Sequence, residues 1–236
     1  MPAQLVLLHG AYHGPEIWDV LRGHLERAGV STLAPPVDHA DPEAVVSFLA
    51  EGEGPYSLLA HSLAGLVAGE LIFAPALADR IQDVAYLAAY VPRQGESAAG
   101  LAKLDRGAAI RDRLLIDRTR GELRLDPETA RDLLFGSAEP SENLETAIAG
   151  LRPQSLDGFR LRAANDVGAK PNRPPKAYIV CKKDRAITPA LQRRMAADAK
   201  CDPVLELTVA HMPMVTDAEE LARLILKLRP GLVRDR

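Results

Sequence analysis

Short apolar runs separated by longer amphipathic stretches are the feature that most constrains how this chain can fold. The apolar runs occur at residues 4–8, 31–34, 56–60, 84–89, 176–181 and 204–209, and the amphipathic patterns at 15–27, 41–49, 62–73, 188–199 and 217–228. Residues 58–60 and 178–181 are apolar throughout, which is typical of strands covered by helices on both faces. Strands alternating with helices predict an α/β fold with a mostly parallel central sheet and helices on both of its faces.

The long stretch between the fourth and fifth apolar runs breaks this alternation. Between residues 91 and 175 no run predicts a strand, and the segments 101–116, 126–135 and 142–151 have helical patterns. We interpret residues 93–175 as a helical lid inserted between late strands of a core that is formed by residues 1–92 and 176–236. Its charged residues are interpreted as a solvated face, residues 165–175 as the return to the core, and residues 229–236 as a frayed surface tail.

The composition excludes several classes of protein. Of the 236 residues, 47% are hydrophobic and 26% charged, as in ordinary globular domains, which excludes disorder and coiled coil. The net charge of −3 provides no basic field for nucleic acid or anionic membranes. No apolar stretch reaches the roughly 18 residues of a membrane span, and the first residues lack the features of a signal peptide. We therefore expect a soluble, cytoplasmic protein.

The cysteines indicate neither a disulfide framework nor a metal site. The chain contains two of them, Cys181 and Cys201, and no Cys/His cluster has the spacing of zinc ligands. Cys181 lies within an apolar run, where a small buried side chain is a simpler interpretation than a redox or metal-binding role.

A serine stands where an apolar run meets an apolar helical pattern. Residues 58–65 read Leu-Leu-Ala-His-Ser-Leu-Ala-Gly, with Ser62 at the junction. This is the layout of a nucleophile elbow, although Ala60 and Ala64 stand where glycines are usual. Gly65 provides further room for the close passage of strand and helix. The alternative is that Ser62 merely caps the helix.

The loop after the first strand is suited to stabilising an oxyanion. Residues 8–14 read Leu-His-Gly-Ala-Tyr-His-Gly, and two glycines allow a tight turn. A serine hydrolase needs two preorganised donors, and backbone N–H groups can provide them. We predict that they belong to Leu63, directly after the serine, and to Ala11 in this loop. A phosphate-binding loop is disfavoured because neither G-x-G-x-x-G nor a Walker pattern is present.

An acid and a histidine follow the last two apolar runs. Asp184 comes after the run 176–181, and His211 after the run 204–209. The order serine, acid, histidine is that of α/β-hydrolases, and each residue follows the carboxyl end of a predicted strand, where ligands bind in open α/β sheets. We predict a catalytic triad of Ser62, Asp184 and His211. Asp198 and Asp202 are weaker candidates for the acid because they lie in or after a helix.

The other histidines receive structural interpretations. His61 is expected to point away from the serine, since neighbouring side chains diverge. His9 and His13 are expected to hydrogen-bond the oxyanion loop, and His24 and His39 to lie at the surface.

Taken together, these motifs resemble the plant methylesterase and hydroxynitrile lyase family of α/β-hydrolases. The resemblance also covers Trp18 and the segments 86–92, 151–155, 178–184 and 211–214, so it spans nearly the whole chain. It implies an α/β-hydrolase fold with a helical lid, the triad named above, and no cofactor or metal. The family's lyases pair a threonine in the oxyanion loop with a lysine after the catalytic histidine. Gly10 and Met212 stand there instead, which resembles the esterase branch.

The sequence therefore predicts a serine esterase, with a methylesterase as the narrower expectation, that acts on a small, mostly apolar ester. Tyr12, His13 and Met212 are predicted to line its substrate pocket, and Tyr12 replaces a commonly smaller residue. Dimers are common in the family, which makes a homodimer an expectation. Two alternatives stay open, namely a lyase or cyclase that uses His211 as a general base, and a ligand-binding protein with a residual triad.

Overall fold

The computed structural model describes residues 3–136, 138–169 and 174–232, and its framework is a parallel sheet. The strands, in chain order, are Gln4–Leu8 (β1), Thr32–Leu33 (β2), Tyr56–His61 (β3), Ile81–Leu87 (β4), Leu115–Asp117 (β5), Glu122–Arg124 (β6), Gln154–Ser155 (β7), Lys176–Cys181 (β8) and Val204–Leu207 (β9). Six of them form one sheet in the order β2-β1-β3-β4-β8-β9, and every neighbouring pair is parallel. The prediction of a mostly parallel α/β sheet is confirmed.

Helices follow the strands of this sheet. They are Asp19–Arg27 (α1), Pro42–Glu51 (α2), Ala64–Leu71 (α3), Ala98–Leu104 (α4), Pro127–Ala130 (α5), Glu142–Ala149 (α6), Leu156–Arg160 (α7), Pro189–Asp198 (α8), Pro213–Thr216 (α9) and Ala218–Leu228 (α10). Short 3₁₀ turns lie at Pro15–Trp18, Pro75–Leu77, Arg111–Arg113 and Pro230–Leu232, and a π-helical turn at Arg131–Phe135. Among the residues described, no helix is long and apolar enough to cross a membrane.

Alternating side chains of each strand supply two separate cores. In β1, Leu5 and Leu7 pack into one cluster with buried residues of α1 and α10, whereas Val6 and Leu8 pack into the other cluster, with residues of α2, α3 and α8. Successive residues of a strand point to opposite faces of the sheet, so each face has its own buried cluster. Helices on both faces therefore explain why these runs are apolar throughout.

The segment between β4 and β8 contains strands that the sequence analysis did not predict. Strands β5, β6 and β7 form a small antiparallel sheet, and the helix expected at 101–116 ends at Leu104. Asp117 accepts hydrogen bonds from the N–H groups of Thr119 and Arg120, which turns the chain toward β6. Each of the three strands is only two or three residues long, so none shows the alternation on which strand prediction depends.

The described residues cover only part of the predicted return to the core and of the predicted frayed tail. Arg229 is buried and pairs with Asp83 at 2.5 Å, so the tail is not frayed at its start. Its guanidinium also donates a hydrogen bond to the Leu58 carbonyl, 3.2 Å away. Residues 170–173, in the predicted return to the core, and 233–236, at the end of the tail, lie outside the described residues. The proposed boundaries of core and lid stay predictions.

Candidate active site

A sharp turn between β3 and α3 presents the Ser62 hydroxyl at the carboxyl edge of the sheet. Ser62 has a φ of +54°, a conformation that costs energy for any residue with a side chain. Its N–H donates to the Leu87 carbonyl at 3.2 Å, and its carbonyl accepts from the Tyr90 N–H at 2.9 Å, which hold the turn in place. Such strain in a fixed turn is typical of functional sites.

Small residues around the turn are required by close contacts. A Cβ atom on Gly65 would lie 2.3 Å from the Tyr90 carbonyl oxygen, and one on Gly10 would lie 2.7 Å from the Ser62 Cβ. Ala60 and Ala64, which replace the usual glycines, are fully buried. The positions with no room for a side chain are therefore those of Gly65 and Gly10, and the two alanine methyl groups fit beside the turn.

The structure brings the three predicted triad residues together. The Ser62 Oγ lies 3.0 Å from His211 Nε2, and His211 Nδ1 lies 2.6 Å from Asp184 Oδ2. Ser62 is 8% exposed, and the other two side chains are less exposed still, so this chain of hydrogen bonds is shielded from water. The three residues follow β3, β8 and β9, whose carboxyl ends meet at one edge of the sheet.

The Asp184 carboxylate is held on every side, in part by a residue that the sequence analysis did not single out. Its Oδ1 accepts from the Ala186 and Ile187 N–H groups at 2.7 and 2.9 Å. Its Oδ2 accepts from the side-chain amide of Gln192 at 2.9 Å as well as from His211. Gln192 is fully buried on α8, and no motif marks it, because its role depends on the packing of α8 against β8.

Asp198 and Asp202, the weaker candidates for the acid, take other roles. Asp198 pairs with Arg93 at 2.5 Å, and Asp202 is exposed. The carboxylate that reaches the imidazole is therefore that of Asp184.

Two backbone donors beside Ser62 are unoccupied. In the described part of the chain, neither the Ala11 N–H nor the Leu63 N–H has a hydrogen-bond partner. The loop that carries Ala11 is fixed by His9, whose Nδ1 donates to the Gly10 carbonyl at 2.9 Å while its Nε2 accepts from the Val37 N–H at 3.0 Å. This arrangement requires a neutral ring, and burial lowers the pKa of His9 accordingly. The expected bond from His9 to the loop is present.

His61 lies beside the site, and the prediction that it points away is wrong. Its Nε2 donates to the His211 carbonyl oxygen at 3.0 Å, and the two rings are 4.7 Å apart between centroids. The ring also contacts Trp18 edge-on, and complete burial lowers its pKa well below the ordinary value. A neutral His61 therefore supports the backbone of His211 without placing a second positive charge beside it.

Two further histidines depart from the predictions. His13 is not among the residues that line the cavity, and its Nε2 donates to the Ala147 carbonyl of α6 at 3.0 Å. His39 is buried, not at the surface, and its Nε2 donates to the His9 carbonyl at 2.9 Å. Burial lowers the pKa of each to about 4. His24 is half-buried on α1.

A cavity of about 880 Å³ opens above Ser62 and His211. Tyr12 and Met212 line it, and most of its wall is apolar. The wall is built largely by the segment between β4 and β8, which contributes among others Leu101, Ile110, Leu114, Leu123, Leu134, Leu156 and Phe159. A volume near the upper end of the range for small-molecule sites accommodates an apolar ligand of considerable size.

Tyr12 occupies an unusual position in this wall. Its φ of +68° places it in the left-handed region, and its ring packs 6.3 Å from that of Phe159 between centroids. The hydroxyl is buried without a hydrogen-bond partner among the described residues, and burial raises its pKa. The phenol is therefore neutral.

No metal-binding cluster is apparent in the described ranges, where no three or more His, Cys, Asp or Glu side chains are grouped to hold an ion. Cys181 and Cys201 are both free and buried. Burial raises the pKa of Cys201 to about 12 and that of Cys181 well above its ordinary value, so neither thiol is activated.

Comparison with known proteins identifies the family of this chain. A family model described as "Alpha/beta hydrolase family" matches residues 5–224. Methylesterase 7 from Arabidopsis thaliana is 25% identical over 255 residues, which cover 95% of each chain. The resemblance drawn from the sequence motifs is confirmed by this relative.

Solved structures share the fold. A pyrethroid hydrolase from Sphingobium faniae superposes with a TM-score of 0.80 at 23% identity, covering 97% of both chains. Polyneuridine aldehyde esterase superposes with a TM-score of 0.79 at 21% identity, covering 97% of this chain and 99% of the other.

Proposed function

The chain belongs to the alpha/beta hydrolase family, and from that premise we propose that it hydrolyses carboxylic esters through an acyl-enzyme on Ser62. One observation carries the proposal, the buried hydrogen-bond chain from Ser62 through His211 to Asp184 at the base of an apolar cavity. Its relatives include plant methylesterases, which makes a methyl ester the first substrate to test.

The geometry is suited to acyl transfer. The Ser62 Oγ attacks the ester carbonyl carbon while His211 Nε2, 3.0 Å away, takes the hydroxyl proton. The carbonyl oxygen becomes an oxyanion, and the free Ala11 and Leu63 N–H groups are the donors to hold it. The C–O bond to the alcohol then breaks, and His211 gives its proton to the departing alkoxide.

Deacylation repeats these steps with water as the nucleophile. His211 takes a proton from the water, hydroxide adds to the acyl carbon, and the Ser62 oxygen leaves and recovers the proton. Asp184, 2.6 Å from Nδ1, fixes the tautomer of the imidazole and stabilises the imidazolium that forms twice in each cycle.

A cyanohydrin lyase is not supported by the residues at the site. The family's lyases use a threonine and a lysine where this chain has Gly10 and Met212. A threonine cannot replace Gly10 without displacement, since even a Cβ there would lie 2.9 Å from His61 Nδ1. Met212 is buried in the cavity wall and carries no charge to bind cyanide.

A burst assay tests the proposal. With a p-nitrophenyl ester, stopped-flow detection is expected to show a burst of nitrophenolate that corresponds to acylation of Ser62. Ser62→Ala is expected to reduce kcat by about 10⁴-fold or more and to abolish labelling by a fluorophosphonate.

Ser47→Ala, a change of an exposed serine in α2 outside the hydrogen-bond chain, serves as the control and is expected to keep both the burst and the labelling. Hydrolysis that survives in Ser62→Ala would reject Ser62 as the nucleophile. Labelling without turnover of any ester would favour the ligand-binding or the lyase interpretation.

The sequence-based expectations of a cytoplasmic location and of a homodimer belong to this proposal and stay predictions. So does the role of the segment between β4 and β8 as a lid. Its support is that this segment supplies most of the cavity wall.

A further inference from the structure

The charged side chains that line the cavity above Ser62 are exposed or half-buried, so they mark its opening, the mouth, and their charges are unbalanced. The fully charged side chains that line the cavity within the described ranges are four cations, Lys103, Arg111, Arg160 and Arg162, and one anion, Glu96. The chain as a whole has a net charge of −3. The excess of positive charge is therefore local to this opening.

The cations are placed around the opening by two packed helices. Lys103 lies in the last turn of α4, and Arg160 ends α7, which packs against α4. Arg162 forms an antiparallel bridge with Ser97, the N-cap of α4, and its Nη1 donates to the Gly95 carbonyl at 2.5 Å. These contacts hold cationic side chains from two elements at the same opening.

The cations of the mouth have few partners of their own. In the described ranges, neither Lys103 nor Arg160 has an ion-pair or side-chain hydrogen-bond partner, and Arg111 pairs through Nε with the adjacent, exposed Asp112. Other arginines nearby are paired more closely, Arg113 with Asp132 at 2.6 Å for example. Donors at the mouth are thus free to bind a ligand.

We propose that the ester substrate carries an anionic group, a carboxylate or another oxyanion, at the end remote from the scissile bond. This inference rests on the proposed ester hydrolysis. The apolar wall between Ser62 and the mouth would contact an apolar body, and the cations would bind the anionic end. A cleft lined by one sign of charge also raises the association rate of a ligand of opposite sign.

A matched pair of substrates tests the charge preference. The 4-nitrophenyl monoester of suberic acid has a free carboxylate at its far end, and 4-nitrophenyl 7-carbamoylheptanoate has a neutral amide of similar size. At low ionic strength, kcat/KM is expected to be about tenfold higher for the anionic ester. About 0.5 M salt is expected to remove most of this preference, because exposed charges are screened.

Charge reversal identifies the residues responsible. The double variant Lys103→Glu/Arg160→Glu is expected to lower the ratio of kcat/KM for the anionic ester to kcat/KM for the neutral ester about tenfold or more. The matched control is Arg27→Glu/Arg120→Glu, which reverses two exposed cations outside the cavity wall. Arg27, like Lys103, lies in the last turn of a helix. The control is expected to keep the wild-type preference.

The outcomes separate this inference from the proposed function. Equal kcat/KM values for the two esters at low salt would overturn the anionic substrate while leaving ester hydrolysis intact. The same conclusion follows if the cavity and control variants lose the preference equally.

If neither ester is hydrolysed, the proposed function fails, and the preference for an anionic ligand is then tested by measuring the binding of the two esters. Calorimetry on Ser62→Ala then gives the ratio of the two dissociation constants without turnover. A ratio of about ten in favour of the anionic ester supports the cationic mouth, and a ratio of one rejects it.

Discussion

The carboxyl edge of the parallel sheet and the segment inserted between β4 and β8 are held together by different interactions. At the sheet edge, buried polar groups satisfy one another, as where Gln192 and two backbone N–H groups hold Asp184. The inserted segment also has buried polar contacts, such as the bonds from Thr188 to Asp105, but it adds exposed ion pairs, such as Arg113–Asp132 and Arg131–Glu145. Buried bonds fix geometry, whereas exposed pairs contribute little.

This difference assigns different tasks to the two regions. Chemistry needs atoms held within a few tenths of an ångström, which the sheet edge provides through buried hydrogen bonds around Asp184 and His211. The inserted segment supplies the cavity wall and the charged mouth, where substitutions alter the range of substrates without disturbing the reacting groups. We expect mutations in the two regions to differ accordingly in their effects on stability and activity.

The largest expected difference comes from a matched pair of Gly→Ala substitutions. Gly65→Ala places a methyl group 2.3 Å from the Tyr90 carbonyl oxygen, and we expect a loss of about 3 kcal/mol in the free energy of unfolding. Gly100→Ala, in α4 of the inserted segment, meets only Ser97 Oγ at 3.5 Å and is expected to stabilise by up to about 1 kcal/mol. Urea unfolding measures the free energy of unfolding of both variants. Equal changes would contradict the proposed difference between the sheet edge and the inserted segment.

Gln192→Leu tests how far the sheet edge depends on a residue outside the triad. The variant removes the amide donor to Asp184 Oδ2 and leaves the Cys181 N–H without its acceptor, so we expect kcat to fall about 10- to 100-fold at unchanged KM.

A second variant separates positioning from loss of fold. Gln192→Met retains roughly the length of the side chain while losing both the amide donor and the amide acceptor, so it is expected to show the same fall in kcat as Gln192→Leu. A fall in kcat that only matches the fall in folded fraction, measured by circular dichroism, would reduce Gln192 to a packing role.

Acid stability depends on the histidines between the two regions. Burial lowers the pKa of His13 and of His39 to about 4, below the ordinary value near 6.5, so the unfolded chain binds more protons between these values. The stability that neutral histidines provide is complete above about pH 6.5 and is lost as the pH falls toward 4. We expect the Tm to decrease over this window, and His39→Gln to make the decrease shallower. A decrease of equal slope in the variant would reject this role for His39.

The smallest effect is expected at an exposed ion pair of the inserted segment. Arg113→Ala removes the pair with Asp132, in which both side chains are well exposed, and should change the free energy of unfolding by less than about 1 kcal/mol. We expect kcat for a neutral p-nitrophenyl ester to stay at the wild-type value. A loss of several kcal/mol would show that this segment is held as firmly as the sheet edge.

The outcome of the sequence analysis differs between the same two regions. The core strands were predicted because their apolar runs are long enough for a pattern, and Ser62, Asp184 and His211 because each follows such a run. In the inserted segment, strands of two or three residues are formed by a turn at Asp117 and by tertiary contacts, so no pattern predicted them.

The histidines show the limit of local reasoning most clearly. His39 was expected to lie at the surface, yet α7 packs over it, with the Gly158 Cβ position 2.9 Å from its Cβ. His61 was expected to diverge from its neighbour, but a sharp turn at Ser62 brings its ring under His211. Both depend on packing between distant parts of the chain.

By itself, the sequence determined the parallel α/β framework, the order of serine, acid and histidine along it, and membership of a hydrolase family, because hydrophobic periodicity and short motifs are local properties. The tertiary structure decided which amide holds Asp184, which histidine supports His211, and that cations from two packed helices surround the mouth of the cavity. These features depend on contacts between residues far apart in the chain, and no local pattern specifies such contacts.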